Sequence, residues 1–192
     1  MTSTVTSNQL RGRAIGAFFL TFFGSIWIGL ALYALGQLHT AAILGILAGI
    51  TVLTFAALSL FRAAKRLPAL PNDPTLSRKF NQVNAAQWIA VIVVAFTFHR
   101  LRIDAYVLDA ITAIVGLHMF PLARLFRYRP HYVTGVVLVA WAVAAMFLVP
   151  ADSLQAIDAL GTGIILWLSS AVTLMLASFA ARQPVVSLTP EI

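Results

Sequence analysis

Polar residues are confined to short gaps along this chain. Between the gaps run nearly uninterrupted apolar stretches at 14–36, 41–61, 85–101, 105–123, 133–149 and 157–181. None alternates apolar and polar positions as a strand does, and crossing a bilayer takes about 20 mainly apolar residues in a helix. The pattern predicts an all-α polytopic membrane bundle of six transmembrane helices, forming one transmembrane domain over residues 1–192. The third stretch is short. It is preceded by a segment, 62–84, in which Pro68, Pro71, Pro74 and Asn72-Asp73 break the second helix. Thr75 or Ser77 can then cap a helix that continues through Phe80, Val83 and Trp88 into the third span. Arg100, Arg102 and Asp104 separate the third span from the fourth, and Asp152 with Gln155 can cap the sixth.

Composition sharpens this picture. Of the 192 residues 60% are hydrophobic and only 10% charged, against about 25% charged in a soluble domain. An ordinary soluble enzyme and a disordered chain are excluded. The absence of cysteine removes disulfides and thiolate chemistry. Arg11 and Arg13 before the first apolar run resemble a signal-peptide n-region, but the run is longer than the roughly 7–15 residues of such a signal and reads as a retained anchor.

The net charge of +7 would suggest nucleic acid in a soluble protein, but here it follows the gaps. With six spans, Arg11, Arg13, Arg62, Lys65, Arg66, Arg78, Lys79, Arg124, Arg127, Arg129 and Arg182 fall on one side. Arg100 and Arg102 alone fall on the other. The positive-inside rule then predicts both termini in the cytoplasm. The partners implied are membrane lipids rather than nucleic acid. Gly12/Gly16 and Gly45/Gly49 are spaced for close helix approach, within the bundle or between copies in a homo-oligomer.

Two constellations carry candidate chemistry. At the outer ends of helices three and four stand His99, Arg100, Arg102, Asp104 and, inside the apolar run, Asp109; Asp158 begins the sixth helix at similar depth. Charges at membrane depth are costly and usually paired. One reading is a polar vestibule in which Arg100 or Arg102 counters Asp109 and Asp158. The other is that the acids are solvated helix-start residues and the arginines snorkel to headgroups. Asp109 is the hardest to dismiss.

The second constellation is Gly116-Leu117-His118-Met119-Phe120-Pro121-Leu122-Ala123-Arg124. Pro121 cannot donate to the Leu117 carbonyl, so the helix is expected to bend there, with His118 one turn earlier. This is a binding or gating element, or else a histidine bonded to a neighbouring helix. Asp109 and His118 are nine positions apart and so lie on opposite helix faces. The arginines and tyrosines that follow can bind an anionic head from the cytoplasm or serve as a basic-aromatic belt.

No two of His39, His99, His118 and His131 have helical metal-ligand spacing. No metal and no cofactor is called for, although histidines on different helices could ligate haem. Trp27, Trp141 and Trp167 lie mid-helix, where their indole N–H groups need partners inside the bundle. Asn84 and Gln87 add a polar stripe to the third helix.

The stretch around Gly116–Arg124 resembles a family of small bacterial multi-pass integral membrane proteins. The resemblance implies a multi-pass protein of the bacterial inner membrane and brings no functional residue with it. The sequence contains no hydrolase triad and no phosphate-binding loop. The reading ranked first is a transporter or permease for a small solute or lipid-like molecule, with a polar site among helices three, four and six. The alternatives are a membrane-embedded enzyme with Asp109 or His118 as acid/base, and a scaffold with no ligand. Catalytic residues and the ligand are not specified by the sequence.

Overall fold

The computed structural model describes residues 6–67 and 73–182; Pro68, Pro71 and Asn72, expected to break the second helix, lie outside them. All the regular structure among the described residues is helical. Helices α1 (Ser7–Ala34), α2 (Thr40–Ala64), α3 (Pro74–Arg100), α4 (Val107–Leu125), α5 (Pro130–Leu148) and α6 (Leu154–Arg182) are joined by short turns. All six, α4 with the short 3₁₀ turn before it, are long and apolar enough to cross a membrane.

Several helices begin earlier than the apolar runs, because polar capping residues extend them. Thr6 and Gln9 form a reciprocal capping box that starts α1 at Ser7. Asp73, rather than Thr75 or Ser77, caps α3: its carboxylate accepts from the Thr75 N–H at 2.8 Å, and Pro74 occupies the first helical position. Gln155 does not complete a capping box on α6. Its amide donates instead to the Asp104 carbonyl at 2.6 Å, tying the start of α6 to the turn before α4.

Consecutive helices run antiparallel. The Ser7 hydroxyl, at the start of α1, donates to the Ala64 carbonyl at the end of α2 (2.7 Å). One end of the bundle thus carries Arg11, Arg13, Lys65, Lys79, Arg124 and Arg127; we call it the basic end and its opposite the far end. α1 packs against α6 and α2, α6 against α5 and α4, and α4 against α5 and α3. α2 and α3 are flanking helices: α2 buries only Ala57, Leu60 and Ala64, and α3 buries no residue completely. Large apolar side chains such as Phe19, Phe22, Phe55, Ile92 and Phe147 are exposed around the bundle, a surface suited to acyl chains rather than water.

Glycines decide where the helices touch. Gly24 of α1 faces Gly163 of α6, and Gly116 of α4 faces Gly135 of α5; a Cβ added at any of them would fall within 3.0 Å of the opposing glycine's carbonyl oxygen. Gly12, Gly16 and Gly45, expected at close crossings, have open space where a Cβ would be. Gly49 alone of those four makes a contact, with the Trp167 ring.

Candidate functional site

α4 and α6 both begin at the far end, and they run parallel with α5 between them in sequence. In the first turn of α4 stands Asp109, and one turn into α6 stands Asp158. Both are fully buried, on helices that pack against each other. The helix N-termini that carry them place partial positive charge beside the acids. Thr112 lies one turn below Asp109 and Thr162 one turn below Asp158, on the same faces. The Thr112 hydroxyl donates to Asp158 Oδ2 at 2.8 Å and lies 2.9 Å from the Thr162 hydroxyl. Each hydroxyl has one proton to give, so with Thr112 donating to the carboxylate, Thr162 donates to Thr112. From α5, the Trp141 indole N–H donates to the Asp158 backbone carbonyl at 3.1 Å, and its ring packs over Gly161.

This network is incomplete. Asp158 Oδ1 has no hydrogen-bond partner, and apart from its own backbone N–H neither oxygen of Asp109 meets a donor. Buried polar groups are nearly always satisfied, and an unsatisfied one in a low-dielectric interior is costly. The contrast with the α1–α6 seam is direct. There the Thr21 and Ser170 hydroxyls lie 2.8 Å apart and within 2.9 Å of the Ala17 carbonyl, so that one donates to the carbonyl and the other to its neighbour, and Trp167 donates toward the Thr21 carbonyl and Ser25. That seam is saturated and acts as interhelical glue. The Asp109–Asp158 cluster keeps three carboxylate oxygens without a donor from any other residue.

The expected countering of Asp109 by Arg100 or Arg102 is not found. Both arginines are exposed, and the Arg100 guanidinium lies over the Phe96 ring, 4.9 Å from its centroid. Arg102 ends α3. Its N–H bonds to the His99 carbonyl, the following Ile103 N–H bonds back to Phe98, and its φ of 58° is left-handed. This is the Schellman arrangement that usually takes glycine, as Gly36 does after α1. Arg127 repeats it after α4, with φ 48°. An L residue in this conformation costs about 1 kcal/mol or more relative to glycine, so Arg102→Gly is expected to raise thermal stability, measured by unfolding in detergent; a fall would mean that the Arg102 side chain holds the structure. His99 pairs with Asp104 at 3.1 Å on an exposed surface, where such a contact contributes little.

The remaining candidates gather elsewhere. α4 runs through Pro121 without a break. His118, half-buried, faces α3 and lies against the Val83 backbone. With Val83, Ala86, Gln87, Ile114 and Pro121 it lines an apolar groove of about 190 Å³ between α3 and α4, toward the basic end. Arg124 is exposed one turn beyond Pro121. The structure therefore separates two places: Asp109 with Asp158 between α4 and α6, and His118 with Pro121 and Arg124 along α3. α3 takes no part in the acid cluster. Thr112 and Thr162 were not singled out by sequence; the available signal was a threonine three or four positions after an acid inside an apolar run. No family model, no curated protein and no solved structure matches the chain.

Proposed function

We propose that the protein is a bacterial inner-membrane transporter for a small cationic solute or coupling ion, with Asp109 and Asp158 as its polar site. The observation that carries the reading is the set of unpartnered carboxylate oxygens at Asp109 and Asp158, buried where a bilayer would exclude water. Acids at membrane depth mark ion and solute pathways more than they serve packing. Thr112 and Thr162 add hydroxyl oxygens to the same position, an all-oxygen set suited to a hard cation. The site is closed between α4 and α6, so loading requires one helix to move relative to the other. The saturated α1–α6 seam forms the fixed side of the bundle. Both termini lie in the cytoplasm, as the distribution of lysine and arginine argues.

The test is potential-driven uptake into proteoliposomes. Radiolabelled sodium, rubidium and methylammonium are offered under an inside-negative potassium diffusion potential, and proton entry is read with a trapped pH dye. Uptake of at least one of the four above protein-free vesicles is expected. Folded protein that passes none of them overturns the reading. Orientation is tested separately with single cysteines, since the chain has none of its own. A membrane-impermeant thiol reagent is expected to reach Ser153→Cys from the periplasmic side and Lys65→Cys from the cytoplasmic side only; the opposite pattern reverses the topology.

A further inference from the structure

The groove between α3 and α4 is apolar, open along the bundle surface, and contains two polar groups, Gln87 and His118. Its register at the basic end is fixed by Phe80 of α3 and Phe126, the C-cap of α4, whose rings meet edge to face at 5.7 Å. One turn before Val83 on α3 comes Lys79, and one turn beyond Pro121 on α4 comes Arg124. Residues four or three apart share a helix face, so these two cations continue the two walls of the groove. The Phe80–Phe126 contact puts them at the same level. Both are exposed, and neither forms a salt bridge among the described residues. His118 lies six positions deeper than Arg124, about 9 Å along the helix axis. Gln87 lies eight positions deeper than Lys79, about 12 Å, and its amide has no hydrogen-bond partner among the described residues.

We infer that this groove is a binding site for an anionic phospholipid. The phosphate sits between Lys79 and Arg124, an acyl chain lies along Val83, Ala86 and Pro121, and Gln87 and His118 lie at the depth of the ester groups. The charge argues for this occupant over a neutral lipid. Two cations stand at one mouth with no acid beside them, and the only described acid at the basic end, Asp73, is engaged in capping α3. A cation near an anionic lipid surface contributes about 1 kcal/mol. The inference rests on the membrane reading alone and does not require transport.

The experiment is native mass spectrometry and thermal unfolding of the purified full chain with phosphatidylglycerol or phosphatidylcholine added. One phosphatidylglycerol is expected to be retained and to raise the unfolding temperature above that with phosphatidylcholine. The double variant Lys79→Gln/Arg124→Gln is expected to weaken retention about 20- to 30-fold, the sum of two such contributions. Ala86→Leu, which fills the groove without touching charge, is expected to abolish retention. The control Lys65→Gln/Arg66→Gln, at the same end but in the turn that follows α2, is expected to keep it. All the altered side chains are exposed, so the variants fold, as size-exclusion elution and circular dichroism will show. Equal retention of both lipids, equal loss in the control, or full retention by Ala86→Leu each overturns the inference. Retention of the lipid by a protein that moves no cation leaves this site standing and removes only the transport reading.

Discussion

Asp109→Asn is expected to abolish potential-driven cation uptake while leaving the protein folded. The substitution keeps the size of the side chain and removes its charge. Losing a hydrogen bond or ion contact to a charged group costs about 1.5–3 kcal/mol, which corresponds to roughly a 10- to 150-fold loss in affinity for the transported cation. Stability should respond differently. Removing one member of a buried ion pair destabilises a protein by about 3–5 kcal/mol, because the other charge is stranded. Asp109 has no such partner: its oxygens are unmatched, the Arg100 guanidinium lies over Phe96, and Arg102 is exposed. Its charged neighbour is Asp158, of like sign, so neutralising Asp109 strands nothing. The unfolding temperature in nanodiscs should therefore hold or rise. Asp152→Asn, in the exposed turn before α6, is the matched control and should alter neither property. Full uptake with a lowered unfolding temperature would make Asp109 a structural residue and remove the centre of the transport reading.

What the sequence revealed and what it hid follow from the same physics. Six apolar runs are a property of each segment alone, so the helices stand where the runs do. Their extensions, such as α1 back to Ser7 and α3 back to Pro74, depend on single capping residues at Thr6 and Asp73. Those signals are local but weak beside a 20-residue apolar run. Asp109 and Asp158 were visible as acids at the wrong depth. Helical periodicity also separated Asp109 from His118, and the two do face different neighbours, α6 and α3. The neighbours themselves were not legible. In a soluble helix the apolar face points to the core, whereas α1 and α6 are apolar on every side and their patterns name no partner. One of the two readings therefore paired Arg100 or Arg102 with Asp109 by proximity in the chain. In fact one stacks on Phe96 and the other closes a helix end, a position that reads as glycine in most sequences. The same blindness hid the close crossings at Gly24, Gly116, Gly135 and Gly163.

Gly163→Ala is expected to be the most damaging small substitution in the bundle. The added Cβ would lie 2.8 Å from the Gly24 carbonyl oxygen and 2.9 Å from the Ile28 backbone nitrogen. Both are backbone atoms in the middle of α1, so no rotamer change can relieve the contact and the two helices must separate. Without a hydrophobic driving force inside a bilayer, helices associate through close packing and hydrogen bonds. Separation would loosen the adjacent bonds of Trp167 to Thr21 and Ser25, at 3.1 and 3.0 Å, along with the packing. Forcing a methyl group into a well-packed interface costs about 1–3 kcal/mol, and Gly163→Val should cost more. Gly16→Ala makes the same chemical change on α1 where nothing lies within 4 Å. There alanine's better helix propensity, about 0.5–1 kcal/mol over glycine, acts without opposition. Thermal unfolding of the two variants in the same detergent should shift in opposite directions. If both shift alike, the α1–α6 crossing does not hold the bundle together, and the fixed side against which α4 is proposed to move is lost with it.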